Sequence, residues 1–116
     1  MMTSWTSYKQ GEIVLVPFPF SDLSIVKQRP VLIISKDAYN NETEDVIICG
    51  ITSNLKNASY SILIDNEDLT EGSLPVKSRI KADKIFTLEK SLIKKKIAKV
   101  NLKIIEKVKS EILNLV

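Results

Sequence analysis

Arg29 and the cluster Thr52-Ser53-Asn54 are the residues whose types and placement suit chemistry on a phosphate. A guanidinium offers a planar fork that matches phosphate oxygens, and hydroxyls and an amide add neutral hydrogen bonds. Arg29 enters the apolar run Pro30-Val31-Leu32-Ile33-Ile34, and Thr52 leaves the run Val46-Ile47-Ile48-Cys49-Gly50-Ile51. Short β-branched runs bounded by polar residues read as strands buried on both faces. If the two strands pair antiparallel across residues 36–45, the start of the first lies beside the end of the second. Arg29 and Thr52 then share one rim of a sheet.

Other parts of the chain narrow what that rim can do. The sequence holds no histidine, which removes the commonest general base and metal ligand and leaves Arg, Lys, carboxylates and hydroxyls for any catalysis. No carboxylate set has metal-ligand spacing, so neither a metal nor another cofactor is expected. The single Cys49 lies inside an apolar run and reads as a buried, inert thiol rather than half of a disulfide. Residues 1–76 carry five basic and ten acidic side chains, net −5, whereas residues 77–116 carry twelve and four, net +8. That asymmetry points to a polyanionic partner, with a lysine-rich solvated face as the plain alternative, above all for Lys94-Lys95-Lys96. No apolar run approaches the ~20 residues of a membrane span, and the polar N-terminus lacks the apolar core of a signal peptide, so the expected location is the cytoplasm.

The elements that must position these residues follow in order. At 116 residues the chain fits one domain, 1–116. Gly11 to Phe20 reads as a first strand stopped by Pro17 and Pro19, and Ser21 to Gln28 as a loop able to act as a lid before Arg29. Asp37 to Glu42 is rich in turn formers and has room for one helical turn. Ser59 to Asp65 alternates like a half-buried strand, and Asn66 to Gly72 reads as an acidic turn. From Ser78 to Leu88, Ile80 and Ala82 face one way while Arg79, Lys81 and Asp83 face the other. That charged side is either an exposed strand face or the floor of a groove. Ile97 to Val100 reads as a short strand, Asn101 as an N-cap, and Leu102, Ile105, Val108, Ile112 and Leu115 as the apolar stripe of a terminal helix. Strands outnumber helices, which predicts a mostly β fold, a small barrel closed by a C-terminal helix.

With Gly11-Glu12-Ile13-Val14-Leu15-Val16-Pro17-Phe18-Pro19-Phe20, then Arg29-Pro30-Val31-Leu32-Ile33-Ile34-Ser35, then Ile51-Thr52-Ser53-Asn54 and the stretch Arg79 to Leu92, the chain resembles the MazF/PemK toxin family over nearly its whole length. The resemblance implies an SH3-like barrel, a homodimer, and a metal-independent endoribonuclease that cuts single-stranded RNA at short sequences as the toxin of a type II toxin-antitoxin system. It also implies a cognate antitoxin that blocks the groove with an acidic tail. Carried over by motif, Arg29 and Thr52 match the family's catalytic pair, Ser53 and Asn54 follow as RNA contacts, and Lys81 and Asp83 match a later basic residue and aspartate. Some members carry a histidine before the Arg-Pro motif; here Lys27 or Gln28 would take over its contact.

Chemistry supports the same division of labour. The neighbouring 2′-hydroxyl of RNA is a built-in nucleophile, so the protein has to neutralise charge on the phosphoryl oxygens and help move two protons. Arg29 suits the first task and not the second, because a guanidinium stays protonated. Asp83 is the easier base, provided it reaches the groove, and Thr52 would orient the phosphate. The rival reading is a catalytically inactive module on the same barrel that grips RNA or a protein target, as the related gyrase-poisoning toxins do. Retention of both Arg29 and Thr52 favours the enzyme.

Overall fold

The computed structural model describes residues 7–19 and 26–116. Among these residues seven strands form one antiparallel sheet: β1 (Glu12–Pro19), β2 (Val26–Ile33), β3 (Asp45–Thr52), β4 (Ser61–Ile64), β5 (Leu69–Gly72), β6 (Ser78–Glu89) and β7 (Lys95–Val100). Two helices complete the fold, a six-residue α1 (Asp37–Glu42) and the terminal α2 (Leu102–Leu113). The strand order is β4-β6-β3-β2-β1-β7-β5, a curled half-barrel whose two edges are its shortest strands.

Alternation sorts the apolar side chains into two cores, one on each face of the sheet. Ile13, Leu32, Cys49, Ile51, Ile62 and Ile80 face α2, which seals them with Ile104, Ile105 and Val108. Val14, Val16, Val31, Ile33, Val46 and Ile48 occupy the opposite face beneath Tyr8, Leu88 and Ile93. Each such side chain stabilises the fold by about 1.5–3 kcal/mol before the cost of ordering the chain. This two-sided burial is why the runs at β1, β2 and β3 are continuously apolar.

Several boundaries differ from the sequence expectation. β2 starts at Val26 rather than Arg29, and the remainder of the expected lid, residues 20–25, lies outside the described residues. β1 does not stop at Pro17; it runs to Pro19 against Val26 on β2. Its pairing with β7 ends at Leu15, so both prolines fall where β1 has no described second neighbour and their missing N–H groups break nothing. The expected acidic turn at Asn66 to Gly72 is a 3₁₀ turn capped by Asp65 and Asp68, followed by the edge strand β5 on β7. Gly72 there has φ +71°, and a Cβ on it would lie 2.0 Å from the Ile97 carbonyl oxygen. Asn101 caps α2 as expected, its Oδ1 accepting from Ile104 N at 3.0 Å. The expected stripe holds at Ile105, Val108 and Ile112 but not at its first member. Leu102 is 80% exposed, and Ile104 rather than Leu102 opens the buried face, because the first helical residue points away from the sheet.

Candidate active site

A cleft of about 620 Å³ opens over β2, β3 and β6, and both Arg29 and Thr52 line it. Its origin can be read from Pro30. The β2–β3 ladder ends at Val31 opposite Gly50, and Pro30 has no N–H with which to continue it. Continuing that register by two residues sets Arg29 opposite Thr52, on the sheet face that carries Val31 and Ile33. Thr52 in turn faces Arg79 on β6, and Gly50 faces Lys81. Rows of groups therefore cross the sheet: Arg29, Thr52 and Arg79 in one, Val31, Gly50 and Lys81 in the next.

Arg79 was not singled out as a site residue by sequence reasoning, yet it is among the best-anchored cations of the cleft. Its Nη1 donates to Ser61 Oγ at 3.0 Å and its Nε to the Leu55 carbonyl at 3.3 Å. Ser61 is itself fixed, since its hydroxyl donates to the Ala58 carbonyl at 2.6 Å. Thr52 Oγ1 accepts from Asn54 N at 3.1 Å, which folds the end of β3 into a turn and brings Asn54 into the lining. Lys56 and Lys84 add to the wall, so among the described residues five cationic side chains and no carboxylate line the cleft. Such a site is electrostatically arranged for an anion.

The remaining expected residues divide. Lys81 and Asn54 line the cleft; Lys27, Gln28 and Ser53 line a second hollow on the far side of Arg29, with Leu74, Pro75 and Val76. Asp83, expected on the groove floor two residues after Lys81, is exposed and is not part of the lining. A bulge explains the change. Gly50 and Cys49 are consecutive opposite Lys81 and Ile85, so Ala82, Asp83 and Lys84 have no counterpart on β3, and strict alternation fails there. Lys84 enters the cleft in place of the aspartate. Asp83 instead stands near Cys49, whose thiol is pushed up to about 12 by burial first and by the Asp83 charge second. Cys49 is thus a neutral, buried core residue, as its sequence context implies.

Lys94, Lys95 and Lys96 lie outside the cleft lining. Lys96 is occupied structurally: it pairs with the buried Glu12 at 3.3 Å, donates to the Ser7 carbonyl at 2.8 Å, and sits 5.5 Å from the Tyr8 ring centre. Among the described residues no group of three or more His, Cys, Asp or Glu side chains is placed to hold a metal ion, and no helix is long and apolar enough to cross a membrane.

A curled antiparallel half-barrel with a terminal helix, carrying a cationic cleft over β2, β3 and β6, defines a small β-protein arranged to take an anionic ligand. The chain belongs to the PemK-like, MazF-like toxins of type II toxin-antitoxin systems, whose sequence profile matches residues 9–116. Solved structures share the fold. The MazE-MazF complex (Form-III) from Deinococcus radiodurans is 21% identical, with 95% of this chain and 96% of that one covered and a TM-score of 0.78. An endoribonuclease from a mycobacterial species is 21% identical over 94% of this chain and 90% of that one, with a TM-score of 0.74. A mycobacterial endoribonuclease in complex with its cognate antitoxin gives 21%, 92%, 92% and 0.70 respectively. At these identities the likeness is one of fold. No curated protein sequence matches the chain.

Proposed function

We propose that this protein is a toxin that cleaves single-stranded RNA without a metal ion. The observation carrying this reading is the row of Arg29, Thr52 and Arg79 across β2, β3 and β6, in a cleft lined among the described residues by five cations and no carboxylate. In the proposed reaction the 2′-oxygen of one nucleotide bonds to the adjacent phosphorus while the bond from phosphorus to the 5′-oxygen breaks. The products are a 2′,3′-cyclic phosphate and a 5′-hydroxyl.

Arg29 and Arg79 bracket the phosphoryl oxygens, where negative charge grows in the transition state, and Thr52 between them orients the group with its hydroxyl. Two guanidiniums, that of Arg79 already held by Ser61 and the Leu55 carbonyl, supply bidentate, charge-assisted donors that an ammonium cannot imitate. Among the described residues the lining offers no carboxylate, and the sequence has no imidazole; in this reading charge stabilisation carries the rate and the two protons exchange with solvent in the open cleft. Asp83, exposed on the bulge, receives no proton-transfer role. Asn54 and Lys81 hold the RNA inside the cleft, while Lys27, Gln28 and Ser53 hold the strand as it leaves along the second hollow.

The same cationic lining would accept an acidic antitoxin segment, and relatives of this fold are known as complexes with a cognate antitoxin. A twofold dimer acting in the cytoplasm completes the reading. Incubation of the purified protein with long RNA in excess EDTA should give fragments ending in cyclic phosphate and 5′-hydroxyl. Cleavage that requires added magnesium or manganese would refute it.

A further inference from the structure

Below the phosphate row, the cleft changes character. Along β6 the groove face reads Arg79, Lys81 and then, past the bulge, Phe86; opposite them on β3 stand Thr52, Gly50 and Ile48. Phe86 is 48% exposed although it lies on the face that buries Ile48 and Val46, and it lines the cleft. A large aromatic left open to water beside a cationic wall calls for an occupant with an apolar face and a negative charge attached.

Gly50 makes room for that occupant. Its backbone is ordinary strand, so conformation does not require glycine there. A Cβ would project towards Lys84, meeting its Cβ at 3.6 Å in ordinary contact. What the missing side chain provides is floor space between Val31 and Lys81, where a ligand can approach the sheet closely.

We propose that Phe86, Gly50 and Lys84 form a nucleobase subsite, in which a base of the RNA strand stacks on the Phe86 ring above the Gly50 floor. The inference rests on the ribonuclease reading and extends it from the phosphate to the base. Ile48 and Thr52 are four residues apart, about 13 Å along the strand. That spacing suits the base of a nucleotide flanking the scissile phosphate rather than the phosphate itself. Single-stranded RNA is commonly read by splayed bases stacked on aromatic rings, and alanine substitution of a stacking residue typically costs about 1–3 kcal/mol per base. Lys84 on the rim adds a donor for the base edge or for the next phosphate. A second copy of this chain or an acidic peptide could also cover the ring. The continuity of the ring with a five-cation cleft favours the nucleic acid.

The test uses the full chain and a set of single-stranded oligoribonucleotides, each with one abasic residue placed at a different position. Wild-type protein should show one position near the cut where loss of the base weakens binding about tenfold to a hundredfold. Phe86→Ala should show a similar loss on the intact oligonucleotide and no further loss when that base is removed. Phe86→Trp should bind as well as wild type or better. Gly50→Val, checked for an unchanged melting temperature, should block binding by filling the floor. The proposal is overturned if Phe86→Ala and Gly50→Val leave affinity unchanged, or if the Phe86→Ala loss is the same for every abasic position. Loss of self-association or of acidic-peptide binding alone, with RNA binding intact, also overturns it by assigning the ring to a protein partner; Arg29→Ala would still abolish cleavage, so the ribonuclease reading would survive. Wild-type protein that neither binds nor cuts any RNA would remove both.

Discussion

Arg79 offers the sharpest quantitative test, because its charge and its placement can be removed separately. A unit charge about 4 Å from a phosphoryl oxygen contributes about 1 kcal/mol in water and about 4 kcal/mol near a protein surface. Arg79 is half-buried at the wall of an open cleft, so a value between these limits applies. Arg79→Ala should therefore slow single-turnover cleavage by about a hundredfold, since each tenfold corresponds to about 1.4 kcal/mol of barrier. Ser61→Ala keeps the guanidinium and removes the acceptor that Nη1 uses at 3.0 Å. A hydrogen bond to a charged group is worth about 1.5 kcal/mol or somewhat more, so about a tenfold loss is expected. Arg79→Lys should fall near the alanine variant, because an ammonium cannot bond the Leu55 carbonyl and Ser61 together in the guanidinium's geometry. The assay is cleavage of a short single-stranded RNA with enzyme in excess, in EDTA and at fixed salt, beside a thermal melt of each variant. Neither Arg79 bond joins two charges, so stability should fall by only about 1 kcal/mol per bond lost. A full-rate Arg79→Ala enzyme would refute the paired-guanidinium reading. So would a Ser61→Ala enzyme as slow as Arg79→Ala, since that would place the effect in Ser61 itself.

Three further outcomes are expected. Gly72→Ala should destabilise by on the order of 3 kcal/mol or more in urea unfolding, because its Cβ would lie 2.0 Å from the Ile97 carbonyl at a positive φ, whereas Gly50→Ala should stay within about 1 kcal/mol of wild type. The double variant Lys94→Ala/Lys95→Ala should leave the slope of log affinity against log salt nearly unchanged, as neither residue lines the cleft, while Lys81→Ala should reduce it by about one. Cys49 should resist thiol reagents in the folded protein, and because burial raises its pKa from 9.0 to about 12, the unfolded chain releases that proton first; this contribution to stability is complete below about pH 9 and should decline as pH climbs towards 12, as read from urea midpoints.

The sequence made the sheet's centre legible and its edges obscure. β1, β2 and β3 carry apolar residues on both faces, so their runs stand out without any knowledge of partners. The rim that joins Arg29 to Thr52 was also readable, because a single antiparallel pairing fixes both ends at once. β5 was hidden for the opposite reason: Thr70, Glu71 and Gly72 are exposed, and only the backbone ladder to β7 makes them a strand. Alternation placed Arg79 and Lys81 on the correct face and failed at Asp83, since a three-residue bulge leaves no mark in polarity. Arg79 looked like one more solvated charge because the groups that anchor it, Ser61 and Leu55, arrive from distant parts of the chain. The helical stripe was read correctly at Ile105, Val108 and Ile112 and missed at its two ends, where Leu102 and Leu115 are exposed and Ile104 is buried instead of Leu102.

The pairing of β1 with β7 also sets an order of assembly. β1 finds β2 across a short connection, but its other neighbour, from Glu12 opposite Lys99 to Leu15 opposite Lys95, comes from the seventh strand, far along the sequence. Closing so long a loop is slow and gains nothing until the contact is complete. The cleft draws on β2, β3 and β6, and the core beneath it is sealed only when β7 and α2 arrive. A chain emerging from the ribosome therefore carries Arg29 and Thr52 well before the strand that closes the sheet beside β1. A chain cut short before Lys95 would leave the edge of β1 open to pairing with other chains.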